Sequence, residues 1–358
     1  MSLLGAILAG GGSRRFGSPK TVARLHGQPL WQVAAERLQA VCDDVVAVVN
    51  HPRVADEVEL ETLPDRRPLM GPLGGIDAAL GRALRDGHKA VLALAVDMPW
   101  VSTDALRRLA DEWRAHGRPC VPRTGPPWGF HPLCAVYPLE TLHRITDAMN
   151  MRRLESGPFA RSLDPVVIDT GLTSSCFRSV NRPRDLPPPS FSIIGNKKSG
   201  KTTLSVSVIA ELAARGRRVM SVKHGHHFRL DTPGTDSWRH RHEGRAERVL
   251  MAGPTEFALV GDWGREGDPA LDQLLTRHLA EAEIVVVEGF RDAPVPKIEI
   301  YRAEAQPEPV VPPEEGRDRR VLGVVTDRPD LPWTVPVFDA DAPDVAARVT
   351  DLVEGWLL

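Results

Sequence analysis

The sequence predicts two α/β domains in tandem, each built on a mostly parallel sheet. Three observations carry that expectation. The chain has 358 residues, enough for about two domains with separate cores. Short apolar runs alternate with amphipathic stretches through both halves. Each half also opens on the same device, an apolar run feeding a glycine-rich turn and then an amphipathic segment.

In the first half the apolar runs Leu3 to Leu8, Val45 to Val49 and Val91 to Val96 read as strands, and the stretches Leu30 to Val41 and Ile76 to Leu84 read as helices. Ligands of such sheets gather beyond the carboxyl ends of the strands, where Asn50 and Asp97 are expected. The stretch RDLPPPS (Arg184 to Ser190) is punctuated by three prolines and followed at once by a new apolar run, so the domains are set at 1–186 and 187–358. In the second half Phe191 to Ile194 reads as a strand. Leu204, Val208 and Leu212 fall four apart on one helical face that Gly216 ends, and Ile284 to Val287 and Leu322 to Val325 read as further strands. The second proline cluster, Pro307 to Pro313, reads as a surface loop between strands.

Composition excludes several classes. With 42% hydrophobic and 26% charged residues, the chain is not wholly disordered, collagenous or coiled coil. Forty-five Lys and Arg against 47 Asp and Glu leave a formal charge of −2 with no long block of one sign, so no nucleic-acid partner held by bulk electrostatics is expected. Cys42, Cys120, Cys134 and Cys176 are widely spaced without a CxxC pair, which reads as reduced thiols in a cytoplasmic protein. The opening MSLLGAILAGGGSRR has no basic residue ahead of its apolar run, and no later uncharged run approaches about 18 residues. Neither a signal peptide nor a membrane partner is expected.

Gly195-Asn196-Lys-Lys-Ser199-Gly200-Lys201-Thr202 fits G-x-x-x-x-G-K-[ST] at every position, between a strand-like and a helix-like run. Glycines let successive backbone N–H groups curl toward phosphate oxygens, the helix start adds partial positive charge, and Lys201 reaches the β and γ oxygens. Thr202 holds Mg²⁺, with Thr203 following in the same turn. A P-loop NTPase domain binding a nucleotide is therefore expected here. Glu288, at the end of its strand, suits the metal's water shell as a Walker B acid does. Asp327, just past a strand, suits the N1 and N2 donors of guanine, the alternative being a turn aspartate. The histidines His224, His226, His227, His240 and His242 crowd one segment but match no zinc spacing, leaving a metal site weighed against a phosphate-facing or solvated loop.

The second half also resembles a family. VKHGHH, then Asp231-Thr-Pro-Gly-Thr235-Asp236-Ser, then VVVEGFR and PKIEIYR, are similar to MobB, the GTP-binding partner of molybdenum cofactor guanylylation, over most of residues 190–330. The resemblance implies that Asp231 and Asp236 lie near the phosphates, with Asp231 joining Thr202 and Glu288 at the metal. Thr235 stands where the family usually has lysine.

In the first half, Leu8-Ala9-Gly10-Gly11-Gly12-Ser13-Arg14-Arg15-Phe16-Gly17-Ser-Pro-Lys20 adds cations at fixed offsets to a glycine-rich turn. Its backbone would cradle a triphosphate while Arg15 and Lys20 neutralise charge building on departing pyrophosphate. Asp97, ending VLALAVD, is the expected Mg²⁺ ligand, since magnesium in nucleotidyl transfer is commonly held by one or two carboxylates plus substrate phosphates. These residues resemble MobA, the molybdenum cofactor guanylyltransferase family, over about residues 1–186, with a Rossmann-like nucleotidyltransferase fold. Phe16 replaces the methionine of the pattern LAGGxSxRMGxxK. The resemblance implies base and ribose contacts from Asn50, Asp65 and Gly71-Pro-Leu-Gly-Gly75, and the metal at Asp97. It also implies pterin contacts from HPLCAVY, beginning at His131, and from FRSVNRPRDL, with Ser179 and Asn181.

The reaction so implied is transfer of GMP from GTP to the terminal phosphate of molybdopterin or molybdenum cofactor, with release of pyrophosphate. GTP, molybdopterin and Mg²⁺ are then the ligands, molybdoenzymes or their chaperones the onward partners, and a homodimer stays open. A molybdopterin cytidylyltransferase or sugar-phosphate nucleotidyltransferase is the alternative enzyme, and a noncatalytic GTP-dependent adaptor the alternative class.

Overall fold

The computed structural model describes residues 1–10, 16, 19–124, 129–169, 174–225, 232–263, 269–317 and 319–358. The chain divides into two compact units, Met1–Leu186 and Pro187–Leu358.

The first unit carries a seven-stranded sheet in the order Thr62–Leu63, Asp44–Val48, Leu3–Leu8, Ala90–Ala95, Cys134–Pro138, Cys120–Arg123, Val166–Asp169. Leu3–Leu8 lies parallel between Asp44–Val48 and Ala90–Ala95, and both neighbours are reached by helical crossovers, as parallel pairing demands. Every residue of Ala90–Ala95 is buried, which suits a central strand covered on both faces. One face packs Leu30–Gln39 and Thr103–His116, with Trp113 only 2% exposed; the other packs Gly71–Asp86 and Leu142–Asn150. Ser102 opens Thr103–His116 by accepting the Ala105 N–H, and Gly117 closes it at φ 68°.

Cys134–Pro138 runs antiparallel to Ala90–Ala95. A strand of opposite direction begins where its neighbour ends, so His131 and Leu133 arrive beside the carboxyl end of Ala90–Ala95. This reversal brings residues far apart in sequence to one sheet edge.

The second unit carries a six-stranded sheet in the order Val219–Lys223, Ile284–Glu288, Ser190–Ile194, Lys297–Tyr301, Val321–Thr326, Val337–Asp339, and all of its described pairings are parallel. Lys201–Ala214 and Val345–Leu357 cover one face and Leu271–His278 the other. A separate antiparallel hairpin pairs Arg248–Ala252 with Phe257–Gly261.

Two expectations need correction at their edges. The helix expected at Ile76 to Leu84 begins at Gly71, because Pro72 in the first turn needs no N–H there and presets φ. Asp97 lies two residues beyond its strand rather than at its end.

Candidate active site

Three neighbouring strands of the first unit end level, with Leu8 paired to both Val48 and Ala95. The register therefore sets Gly10, Asn50 and Asp97, each two residues further on, around one opening. They line a cleft of about 880 Å³ together with Leu8, Ala9, Lys20 and Asp65. A Cβ on Gly10 would stand 2.7 Å from Asn50 Nδ2, so the loop can pass this close only without a side chain.

Asn50 and Asp65 lock one wall. Asn50 Nδ2 donates to Asp65 Oδ2 and the Asp65 N–H donates back to Asn50 Oδ1, both at 2.8 Å. The Asp65 carboxylate lies over the first turn of Gly71–Asp86, where Gly74 and Gly75 leave room for it. Burial raises its pKa, and the Asn50 hydrogen bond pulls it back.

Lys20 and Asp97 form the opposite wall. Lys20 Nζ lies 3.3 Å from Asp97 Oδ2 and donates to Asn181 Oδ1 at 3.1 Å. The Val180 N–H donates to the Asp97 carbonyl at 2.8 Å, pinning the segment that carries Ser179 and Asn181 to the rim. His131 stacks on Phe177 at 4.3 Å, its Nε2 2.9 Å from Thr124 Oγ1, and burial lowers its pKa so that the ring stays neutral at pH 7. Gly11 and Arg15 lie outside the described residues.

Sequence reasoning missed Asp185. Its Oδ2 accepts the N–H groups of Asn181 and Arg182 at 2.7 and 2.8 Å, fixing the turn that presents Asn181 to Lys20. The signal was Arg-Pro-Arg-Asp, proline at the start of a short turn and an acid at its third position.

In the second unit Gly195 has φ 153°, and a Cβ there would meet Ile300 O at 2.4 Å. Gly200 precedes Lys201–Ala214, whose start has no side-chain cap, so its first N–H groups face the loop. Lys201 Nζ donates to Asn196 O at 2.7 Å, and burial lowers its pKa. Ser199 Oγ is buried with no hydrogen-bond partner among the described residues, as a donor awaiting a phosphate oxygen would be. Glu288 pairs in register with both Ile193 and Lys223, and its Oε1 accepts from Thr202 Oγ1 at 2.9 Å with Lys223 Nζ 3.1 Å away. A hydroxyl and a carboxylate beside a phosphate loop are a donor set that magnesium takes.

Asp327 lies at the same sheet edge but follows Val321–Thr326, two strands from the loop's own strand, and its Oδ1 accepts the Ala303 N–H at 3.1 Å. Thr203 sits exposed in the first turn of Lys201–Ala214. Asp231, His226 and His227 lie outside the described residues. Of the remaining histidines, His224 packs against Phe290 and His242 stacks on Trp238. Among the described residues no three His, Cys, Asp or Glu gather as a metal site. No helix among them is long and apolar enough to cross a membrane.

Residues 5–162 match the family model of the MobA-like NTP transferase domain, and residues 190–327 match that of molybdopterin guanine dinucleotide synthesis protein B. The chain is 34% identical over 172 residues to a molybdopterin-guanine dinucleotide biosynthesis adapter protein of Haemophilus influenzae, covering 47% of this chain and 89% of that protein. It is 36% identical over 188 residues to a probable molybdenum cofactor guanylyltransferase of Deinococcus radiodurans, covering 52% of this chain and 93% of the relative. The chain belongs to both families. A similar protein from Rhodopirellula baltica, also described as a probable molybdenum cofactor guanylyltransferase, is 30% identical over 194 residues, 52% of this chain and 91% of its own. The MobA-like unit thus owns the 880 Å³ cleft, and the MobB unit owns the phosphate loop.

Proposed function

We propose that the MobA-like unit transfers GMP from GTP to the terminal phosphate of molybdopterin or molybdenum cofactor, forming the guanine dinucleotide, while the MobB unit binds GTP as an accessory. One observation supports this most: Lys20 bridges Asp97 on the nucleotide side of the cleft to Asn181 on the acceptor side. Donor and acceptor phosphates meeting there would both face the same ammonium.

Asn50 and Asp65 hold the guanine end, their mutual hydrogen bonds keeping the Asp65 acceptor fixed before the base arrives. Leu8, Ala9, Gly10 and Gly11 carry the backbone that approaches the phosphates, and Arg15 with Lys20 offsets charge on departing pyrophosphate. His131, Ser179 and Asn181 hold the pterin side. An oxygen of the acceptor's terminal phosphate attacks the α-phosphorus, a new P–O bond forms in line, and the bond to the bridging oxygen breaks with its electron pair leaving on pyrophosphate. The nucleophile is already ionised, so positioning and charge neutralisation suffice. Asp97 fits Mg²⁺, which when bound would neutralise charge on the phosphate oxygens.

In the MobB unit Gly195, Asn196, Ser199, Gly200, Lys201 and Thr203 cradle the phosphates, Thr202 and Glu288 fit Mg²⁺ with Asp231, and Asp327 reads the base. No disulfide joins the four cysteines, as suits a cytoplasmic enzyme handing its product to molybdoenzymes or their chaperones.

The deciding experiment incubates the full chain with Mg²⁺, molybdopterin or molybdenum cofactor, and either GTP or CTP, and detects the dinucleotide by mass. Product from GTP alone is expected. Product from CTP assigns a cytidylyltransferase instead, and none from either, with GTP still bound, assigns an adaptor.

A further inference from the structure

Two sequence features play no part in the proposed reaction: the acidic residue within PKIEIYR and the proline cluster that follows it. The structure joins them. Glu299 lies on Lys297–Tyr301, the strand next to the one that feeds the phosphate loop, paired in register with Ile194, and is 1% exposed. Its two oxygens accept the N–H groups of Val310 at 2.6 Å and Val311 at 3.2 Å.

The segment so clamped is tied down at further points. Tyr301 donates its hydroxyl to Pro307 O at 3.1 Å, and Val311 packs with Ile194 and Val321 in a small apolar cluster. Asn196, inside the phosphate loop, donates its side-chain amide to Glu308 O at 3.2 Å. At the other end the Ala303 N–H is held by Asp327. Residues 303–311 therefore run as a strap from the expected base-reading aspartate to the phosphate loop.

Burial pushes the Glu299 carboxyl up to about 7, with the two backbone N–H groups pulling it back. A buried carboxylate costs far more than an apolar side chain in such a strand. Its neighbours on the strand, Ile298 and Ile300, are apolar and buried. An isoleucine or leucine at 299 would fill the space but leave two backbone donors of the strap unpaired.

We propose that Glu299 is a positioning residue for the nucleotide site of the MobB unit, fixing the strap 303–311 so that Glu308 holds Asn196 and shapes the phosphate loop. This rests on the reading that the MobB unit binds GTP. The strap is then a wall of that site rather than a surface connection, and the nucleotide class it serves is a purine triphosphate spanning Asp327 and Lys201.

The test measures binding of a fluorescent GTP analogue to the full chain, taking the component lost in Lys201→Ala as the MobB site. Glu299→Leu is expected to weaken that component about tenfold. Glu299→Gln, which keeps one acceptor in the same shape, is expected to weaken it about threefold, both effects following from loss of hydrogen bonds to a buried group. Tyr301→Phe removes one strap contact without disturbing the strand and keeps the test decisive if the leucine variant fails to fold; about a twofold loss is expected. Dinucleotide formation by the MobA-like unit should be unchanged in all three. A Lys201-dependent component with wild-type affinity in the Gln and Phe variants, even where unfolding shifts, overturns the proposal and leaves Glu299 a stabilising residue. Absence of any Lys201-dependent component overturns the reading of the site itself, and this proposal with it.

Discussion

The two units open with the same local chemistry, a strand, a glycine-rich turn and a lysine, yet wire that lysine differently. In the MobA-like unit Lys20 reaches across the cleft to a carboxylate and to an amide from a segment some 160 residues on, Asp97 and Asn181. In the MobB unit Lys201 folds back onto the carbonyl of Asn196 in its own loop, and Glu288 is satisfied by Thr202 and Lys223. On the proposed reading, one lysine connects two substrate sides and the other closes a single binding loop. The contrast teaches that a glycine loop with a cation states only that phosphate binds. What joins the cation from elsewhere in the fold separates transfer from binding.

The sharpest way to break that contrast is Asp97→Ala. It should abolish dinucleotide formation, by about a thousandfold or more, because a phosphoryl site without its metal carboxylate loses most charge stabilisation. Binding of GTP that depends on Lys201 should survive unchanged. Lys20→Ala should lower kcat by about a hundredfold, the usual worth of one positioned cationic donor. Lys201→Ala should do the reverse, removing GTP binding by the MobB unit while mass-detected product formation stays within about twofold of wild type. Equal loss of product in both lysine variants would erase the distinction between the units.

Asp185 sharpens the comparison on the acceptor side. Asp185→Ala should raise KM for molybdopterin about tenfold with little change in KM for GTP, and Asp185→Asn, which still offers an oxygen to both N–H groups, should recover most of it. In an Asn181→Ala background the Asp185 effect should vanish, since the aspartate acts through that residue.

The smallest effect concerns pH. The folded Glu299 carboxyl keeps its proton to about pH 7, whereas the unfolded group releases it near 4.5. Between those values the folded state holds the extra proton, so stability falls as pH rises through the window and levels off above it. Denaturant titrations from pH 5 to 8 should show that slope in the wild type and a flatter profile in Glu299→Gln.

Much of this was legible in the sequence. Leu3–Leu8 and Ala90–Ala95 announce themselves because a strand covered on both faces is built from a near-continuous apolar run. The loop at 195–202 is legible because phosphate binding by backbone N–H groups leaves little choice of residue. Glu299 was not legible: its partners, Val310 and Val311, offer only backbone, which carries no side-chain signature. The reversal at Cys134–Pro138 was equally silent, since HPLCAVY has the same composition whichever way its strand runs.

The junction between the units is short. Leu186 packs on the core of the first, and Pro189 O already accepts the Val285 N–H in the sheet of the second, leaving only Pro187 and Pro188 between these anchors. A cell making this chain receives the MobA-like unit and the MobB unit in a fixed ratio of one to one, whatever its expression level, and cannot tune one dose against the other.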